Sequence, residues 1–166
     1  MKKQLPYEST GTAIKGYRDS EIAKGETNDC VVRAFASSFD VSYDFAHKYV
    51  AEEFKRKPNR GTFFTSSKMI KLSECNIKVN GKTVTPIGNL TKSVLYPYSL
   101  SYKVKVNGVE KERQMTVGTF AKKNPKGSFF VLVKGHAFTI KDGVVVGNPE
   151  DAMKLKRPMR AAFEIK

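Results

Sequence analysis

Cys30 stands in Asn28-Asp29-Cys30-Val31-Val32-Arg33-Ala34, where a polar loop gives way to an apolar helical pattern. Far downstream come Gly135-His136-Ala137-Phe138-Thr139-Ile140 and then Gly147-Asn148-Pro149. A thiol, an imidazole and an amide are residue types that carry out nucleophilic catalysis together. A thiol at a helix start is drawn toward thiolate by the positive end of the helix dipole. An imidazole can take its proton, and a third polar group can hold the imidazole in the right tautomer.

These residues need elements to position them. The first helix is predicted to begin at Asn28 or Asp29, either of which can cap it, and to bury Val31, Val32, Ala34, Phe35 and Phe39. A second is predicted over 42–57, capped by Ser42 with Asp44 in its first turn. Its one-sided set is Phe45, Ala46, Tyr49, Val50 and Phe54, and Pro58-Asn59-Arg60-Gly61 ends it. A shorter helix is predicted over 65–73 and another over 116–123, the latter stopped by Asn124-Pro125.

From residue 77 the pattern changes to strands. Asn80-Gly81 and Asn107-Gly108 each sit between alternating segments and supply the positive φ of a tight hairpin. A short strand is read near Val94. Ser128 to Val133 is an apolar run suited to a central strand, followed by strands at 136–140, 144–146 and 159–165. Asp142-Gly143 is read as the turn between two of them. Helices first and an antiparallel meander after them predict an α+β fold.

The chain has 166 residues, 40% hydrophobic with 11 Phe and 7 Tyr, enough for one ordinary core. No apolar run approaches the roughly 20 residues needed to cross a bilayer. No signal-peptide core follows Met1-Lys2-Lys3, so an intracellular, cytoplasmic protein is expected, without membrane contact. Two cysteines, Cys30 and Cys75, are too few for a disulfide scaffold, and Cys75 is read as structural. No Cys or His pair has metal-ligand spacing, so neither a metal nor an organic cofactor is expected, and His47 is given no role.

Net charge is +14, from 30 Lys and Arg against 16 Asp and Glu. Such a surface attracts polyanions, either nucleic acid or acidic protein, although a solvated basic surface also serves solubility alone. The densest clusters are Lys55, Arg56, Lys57 and Arg60, and Lys154, Lys156, Arg157 and Arg160. No zinc finger, RNA-recognition aromatic motif or Walker loop accompanies them.

The order Asn28-Asp29-Cys30, Gly135-His136-Ala137-Phe138-Thr139-Ile140, Asp142-Gly143 and Gly147-Asn148-Pro149 resembles the papain-like cysteine peptidase superfamily. It is most similar to the compact bacterial and phage members of the double-glycine-leader peptidase type. The resemblance covers about residues 26–150. It implies a papain-like α+β domain over 28–166; the polar, aperiodic residues 1–27 before it are read as an extended segment that wraps the surface or is partly disordered. It implies a peptidase or isopeptidase that acts through a thioester acyl-enzyme on a protein or peptide. Cys30 matches the nucleophile, His136 the general base and Asn148 the residue that orients the imidazole. The Cys30 N–H matches one oxyanion donor. The family carries a glutamine a short way before the cysteine to complete that hole; here the position holds Lys24, and Asn28 is the candidate substitute.

Each residue also fits a plainer role. Cys30 fits a small buried hydrophobe, His136 a core histidine bonded to a carbonyl, and Asn148 a strand-ending turn residue. A catalytically inactive papain-like fold, binding nucleic acid or a host protein through its basic surface, is the alternative function. It would suit a phage accessory protein.

Overall fold

In the computed structural model, which describes residues 4–64, 68, 71–72, 77–88 and 99–166, helices precede most of the sheet in an α+β arrangement. The elements are β1 (Tyr7–Ser9), α1 (Thr10–Ala13), α2 (Glu21–Gly25), α3 (Cys30–Phe39) and α4 (Tyr43–Phe54). There follow β2 (Lys78–Val79), β3 (Lys82–Pro86), β4 (Ser101–Val106), β5 (Val109–Gln114) and α5 (Val117–Lys123). The chain closes with β6 (Ser128–Val133), β7 (His136–Lys141), β8 (Val144–Gly147), α6 (Pro149–Met153) and β9 (Met159–Ile165).

One seven-stranded sheet has the order β1-β8-β7-β6-β9-β3-β2, and β4 and β5 form a separate hairpin. The asparagines and aspartate of the three turns, Asn80, Asn107 and Asp142, have positive φ, as do the glycines that follow them. The sheet is mixed rather than purely antiparallel because β1 pairs in parallel with β8, Glu8 opposite Val146. That strand belongs to the segment read as extended or partly disordered. Leu5 N–H donates to the Ala152 carbonyl, Ser20 caps α2, and Tyr17 packs edge-on against buried Tyr43. These contacts hold the described part of 1–27 around the domain.

β6 is buried along its whole length because both faces of the sheet are covered. Phe130 and Leu132 pack toward α3 and α4 with Val32, Phe35, Phe39, Val50 and Phe54. Phe129, Val131 and Val133 pack on the other face with Phe120, Phe138, Ile140 and Met159. Such two-sided burial explains a continuous apolar run in place of alternation.

The second predicted helix stops at Phe54, since Lys55 turns left-handed with φ 54. Within it Phe45 lies exposed, stacked on Tyr49 rather than in the core. Pro149 to Met153, for which no element was predicted, forms a short helix with Pro at its start. The predicted 65–73 helix falls mostly outside the described residues, and Cys75 and the strand near Val94 fall wholly outside them.

Polar ties fix α3 against the sheet. Thr139 Oγ1 donates to the Ala34 carbonyl at 2.9 Å and lies 2.6 Å from Ser37 Oγ. Ser128 Oγ donates to the Ser38 carbonyl at 2.9 Å. Buried hydroxyls left without partners would cost about 1–3 kcal/mol each, so these bonds specify one docking of α3 on β6 and β7. That docking sets where the start of α3 meets the start of β7.

Candidate active site

Cys30 is the first residue of α3, and His136 is the first residue of β7. Their side chains stand side by side, near enough for each to shift the other's titration. The other side of the imidazole meets an acid: His136 Nε2 lies 2.9 Å from Asp151 Oδ2. With Nε2 so engaged, Nδ1 is the ring nitrogen left to face the sulfur. The Ala137 N–H adds a backbone hydrogen bond to Cys30.

Burial alone would raise the thiol. The bonds from His136 and Ala137 and the positive charges of His136 and Arg33 outweigh it and hold Cys30 below its ordinary value. Burial alone would lower the histidine. The bonds and negative charges of Asp151 and Cys30 outweigh that and push His136 up to about 9. Each group stabilises the charged form of the other, which favours the thiolate–imidazolium pair over what either group would show alone.

Asp151 is 2% exposed and fully engaged. Its Oδ2 also accepts the Asn148 N–H at 2.9 Å, and its Oδ1 accepts from Arg157 Nη1 at 3.1 Å. The carboxylate is thereby held in one orientation by a helix start and a guanidinium. Gly147 is required beside it, because a Cβ there would stand 2.7 Å from Asp151 Oδ2 and 2.9 Å from Phe138 Cβ.

Asn148, expected on the imidazole, has a different place. Its side-chain oxygen accepts from Arg33 Nη1 at 3.0 Å, while Arg33 Nε donates to Asp29 Oδ1 at 2.9 Å. β7 and β8 pair as far as Thr139 with Val146, and Asn148 lies past the end of β8 as the residue before α6, its side chain turned to Arg33 of α3. Only the turn of α6 returns an acid to the imidazole. Sequence reading passed over Asp151; an aspartate at the third helical position after Asn148-Pro149 is the capping-box pattern that marked a helix there.

Asp29 occupies the cap position of α3 without capping it. Its carboxylate is taken by Arg33 and by the hydroxyl of buried Tyr43 at 2.8 Å. The Cys30 N–H is among those that a helix leaves without an intrahelical acceptor, so it is available to an oxyanion. Asn28 lines the same cleft, its Nδ2 on the Asn59 carbonyl at 3.4 Å. Lys24, at the position of the family's glutamine, is exposed and pairs with Glu21 at 2.5 Å.

The cleft has a volume of about 630 Å³ and runs from Cys30 and His136 along Val31, Leu132 and Val133 to the 59–64 loop. A buried cluster anchors that loop. Glu26 accepts from Arg56 Nη2 at 2.5 Å and from the Asn59 N–H at 3.1 Å, and it lies 2.9 Å from His47 Nε2. Burial would raise Glu26, but Arg56, His47 and the Asn59 N–H together bring it down to about 2. Arg56, expected on a binding surface, is therefore an internal counter-charge, and His47, given no role from sequence, is part of the same clamp.

The two basic clusters are split by the fold. Lys55 and Lys57 are exposed, as are Lys154, paired with Glu150, and Lys156. Arg157 serves Asp151. Arg60 and Arg160, one from each cluster, meet at the cleft. Among the described residues, no three of His, Cys, Asp and Glu converge as metal ligands would, and no helix is long and apolar enough to cross a membrane. No family model, curated protein or solved structure matches this chain.

Proposed function

We propose that the protein is a papain-like, cysteine-dependent hydrolase of amide or isopeptide bonds, with Cys30 as nucleophile, His136 as acid and base, and Asp151 as the residue that orients the imidazole. The observation that carries this reading is the continuous chain from sulfur to imidazole to buried carboxylate at the mouth of an open cleft. Its electrostatics support an activated thiol, as nucleophilic catalysis at neutral pH requires.

The Cys30 thiolate attacks the carbonyl carbon, and the carbonyl electron pair moves onto oxygen, beside the Cys30 N–H. As the intermediate collapses, the C–N bond breaks and the His136 imidazolium protonates the departing amine. A thioester remains on Cys30. Neutral His136 then takes a proton from water, hydroxide adds to the thioester, and the carboxylic acid leaves as the thiol is restored. Asp151 keeps Nδ1 toward the sulfur and stabilises the imidazolium at each stage.

Two measurements test this. Iodoacetamide at pH 6 should alkylate Cys30 at least about tenfold faster than Cys75, and His136→Ala should erase the difference. A p-nitrophenyl ester of an acylated amino acid should release p-nitrophenolate in a burst of about one per chain, leaving an acyl adduct on Cys30 by intact mass. Equal alkylation of the two cysteines with no adduct would overturn the assignment.

A further inference from the structure

The chemistry at Cys30 says nothing of which peptide enters the cleft; its walls do. Among the described lining residues there is no Asp or Glu, and three cations stand there: Arg60, Lys134 and Arg160. Arg60 and Lys134 are exposed. They come from three separate places in the chain, the loop after α4, the β6–β7 turn and β9, so sequence clustering does not account for their meeting. Between them the floor is apolar, with Leu132 buried, Phe64 half-buried and Phe63 81% exposed at the rim.

The acids near the nucleophile do not offset the exposed cations Arg60 and Lys134. Asp151 is enclosed by His136 and Arg157, and Asp29 is enclosed by Arg33 and Tyr43. Both lie behind the cleft wall, and each already faces a cation. A peptide approaching Cys30 thus meets a positive rim around an apolar floor. An exposed phenylalanine at such a rim gives an apolar or aromatic side chain a surface to cover.

We infer that the cleft selects acidic peptides, in which an apolar residue that seats against Phe63, Phe64 and Leu132 is flanked by Asp or Glu facing Arg60 and Lys134. The inference rests on the hydrolase reading for the location of the reacting bond, but recognition does not require the chemistry. Exposed charge pairs contribute little singly and are screened by salt, so the preference is a low-salt effect built from several contacts.

Binding to the Cys30→Ala protein separates recognition from catalysis. Two fluorescein-labelled peptides with a central Phe are compared by anisotropy at low salt, one flanked by Asp on both sides and one by Lys. The acidic peptide should bind about tenfold tighter, which is about 1.4 kcal/mol. Because the whole chain is basic, two charge-reversed forms decide whether the cleft is responsible. Arg60→Glu with Lys134→Glu should abolish the preference. Lys105→Glu with Lys111→Glu, on the separate β4–β5 hairpin, makes the same change in net charge and should leave it in place. Equal binding of both peptides, or equal loss in the two reversed forms, would refute a selective cleft. Either result leaves the alkylation and burst measurements to judge the hydrolase reading independently.

Discussion

Replacing Asp151 by Asn tests the electrostatic chain at the link that only the fold created. In the native protein His136 stands at about 9 against an ordinary 6.5. That gap corresponds to about 3 kcal/mol in favour of the imidazolium, shared between Asp151 and the Cys30 thiolate. An Asn at this position keeps the size of the side chain and an oxygen for the Asn148 N–H, but it removes the charge facing both His136 and Arg157. An opposite charge in contact shifts a titration by about 1–3 pH units, so the acidic limb of Cys30 alkylation should move up by about 1–2 units. Hydrolysis should fall by on the order of 10²–10⁴ with loss of the imidazole's orienting group. The assay is the rate of iodoacetamide alkylation across pH, with far-UV circular dichroism confirming the fold. Asn148→Ala is the comparator. It loses a bond from Arg33 and part of a helix cap, costing about 1 kcal/mol of stability, and should leave the alkylation midpoint within a few tenths of a unit. If the midpoint holds in Asp151→Asn and moves in Asn148→Ala, the amide and not the Asp151 carboxylate orients the imidazole.

Other consequences follow from the same geometry. Hydrolysis should be bell-shaped in pH, its basic limb near 9 where His136 loses the proton it gives the leaving amine, as read from kcat/KM. The stability that His136 adds is complete below its ordinary 6.5 and is lost as pH rises through about 9. Glu26 behaves in the opposite sense: its folded value of about 2 lies below the ordinary 4.5, so its contribution is present above 4.5 and disappears as pH falls toward 2. Glu26→Gln should therefore cost about 3 kcal/mol at pH 7, leaving buried Arg56 unpaired, and much less at pH 2.5, as measured by urea unfolding. Gly147→Ala should displace Asp151 or Phe138, lowering stability by about 1–3 kcal/mol and shifting the alkylation profile in the same direction as Asp151→Asn. An unchanged profile with normal stability would show that the close approach at Gly147 is not needed.

The features legible in the residues alone are those that local physics controls. Periodicity and capping placed α3 and α4 with Ser42 at the start of the latter, the Asn-Gly and Asp-Gly pairs placed three tight turns, and the apolar run of β6 marked a strand covered on both faces. The sequence also singled out Cys30 and His136, because a thiol at a helix start and an imidazole at a strand start are visible as residue types beside structural boundaries. Tertiary structure alone decided the rest. The side chain that meets His136 is the Asp151 carboxylate and not the Asn148 amide, because Asn148 lies past the end of β8 with its side chain on Arg33 and the α6 turn sets Asp151 against the imidazole. Arg56 went from surface cation to buried partner of Glu26, since charge clusters in sequence carry no record of which member a fold encloses. The first strand joined the sheet in parallel beside β8 from the far end of the chain, a pairing of distant segments that no local pattern specifies. Periodicity and turn chemistry act over a few residues. Facing, burial and long-range pairing depend on how completed elements dock, which here brings Cys30 and His136 together.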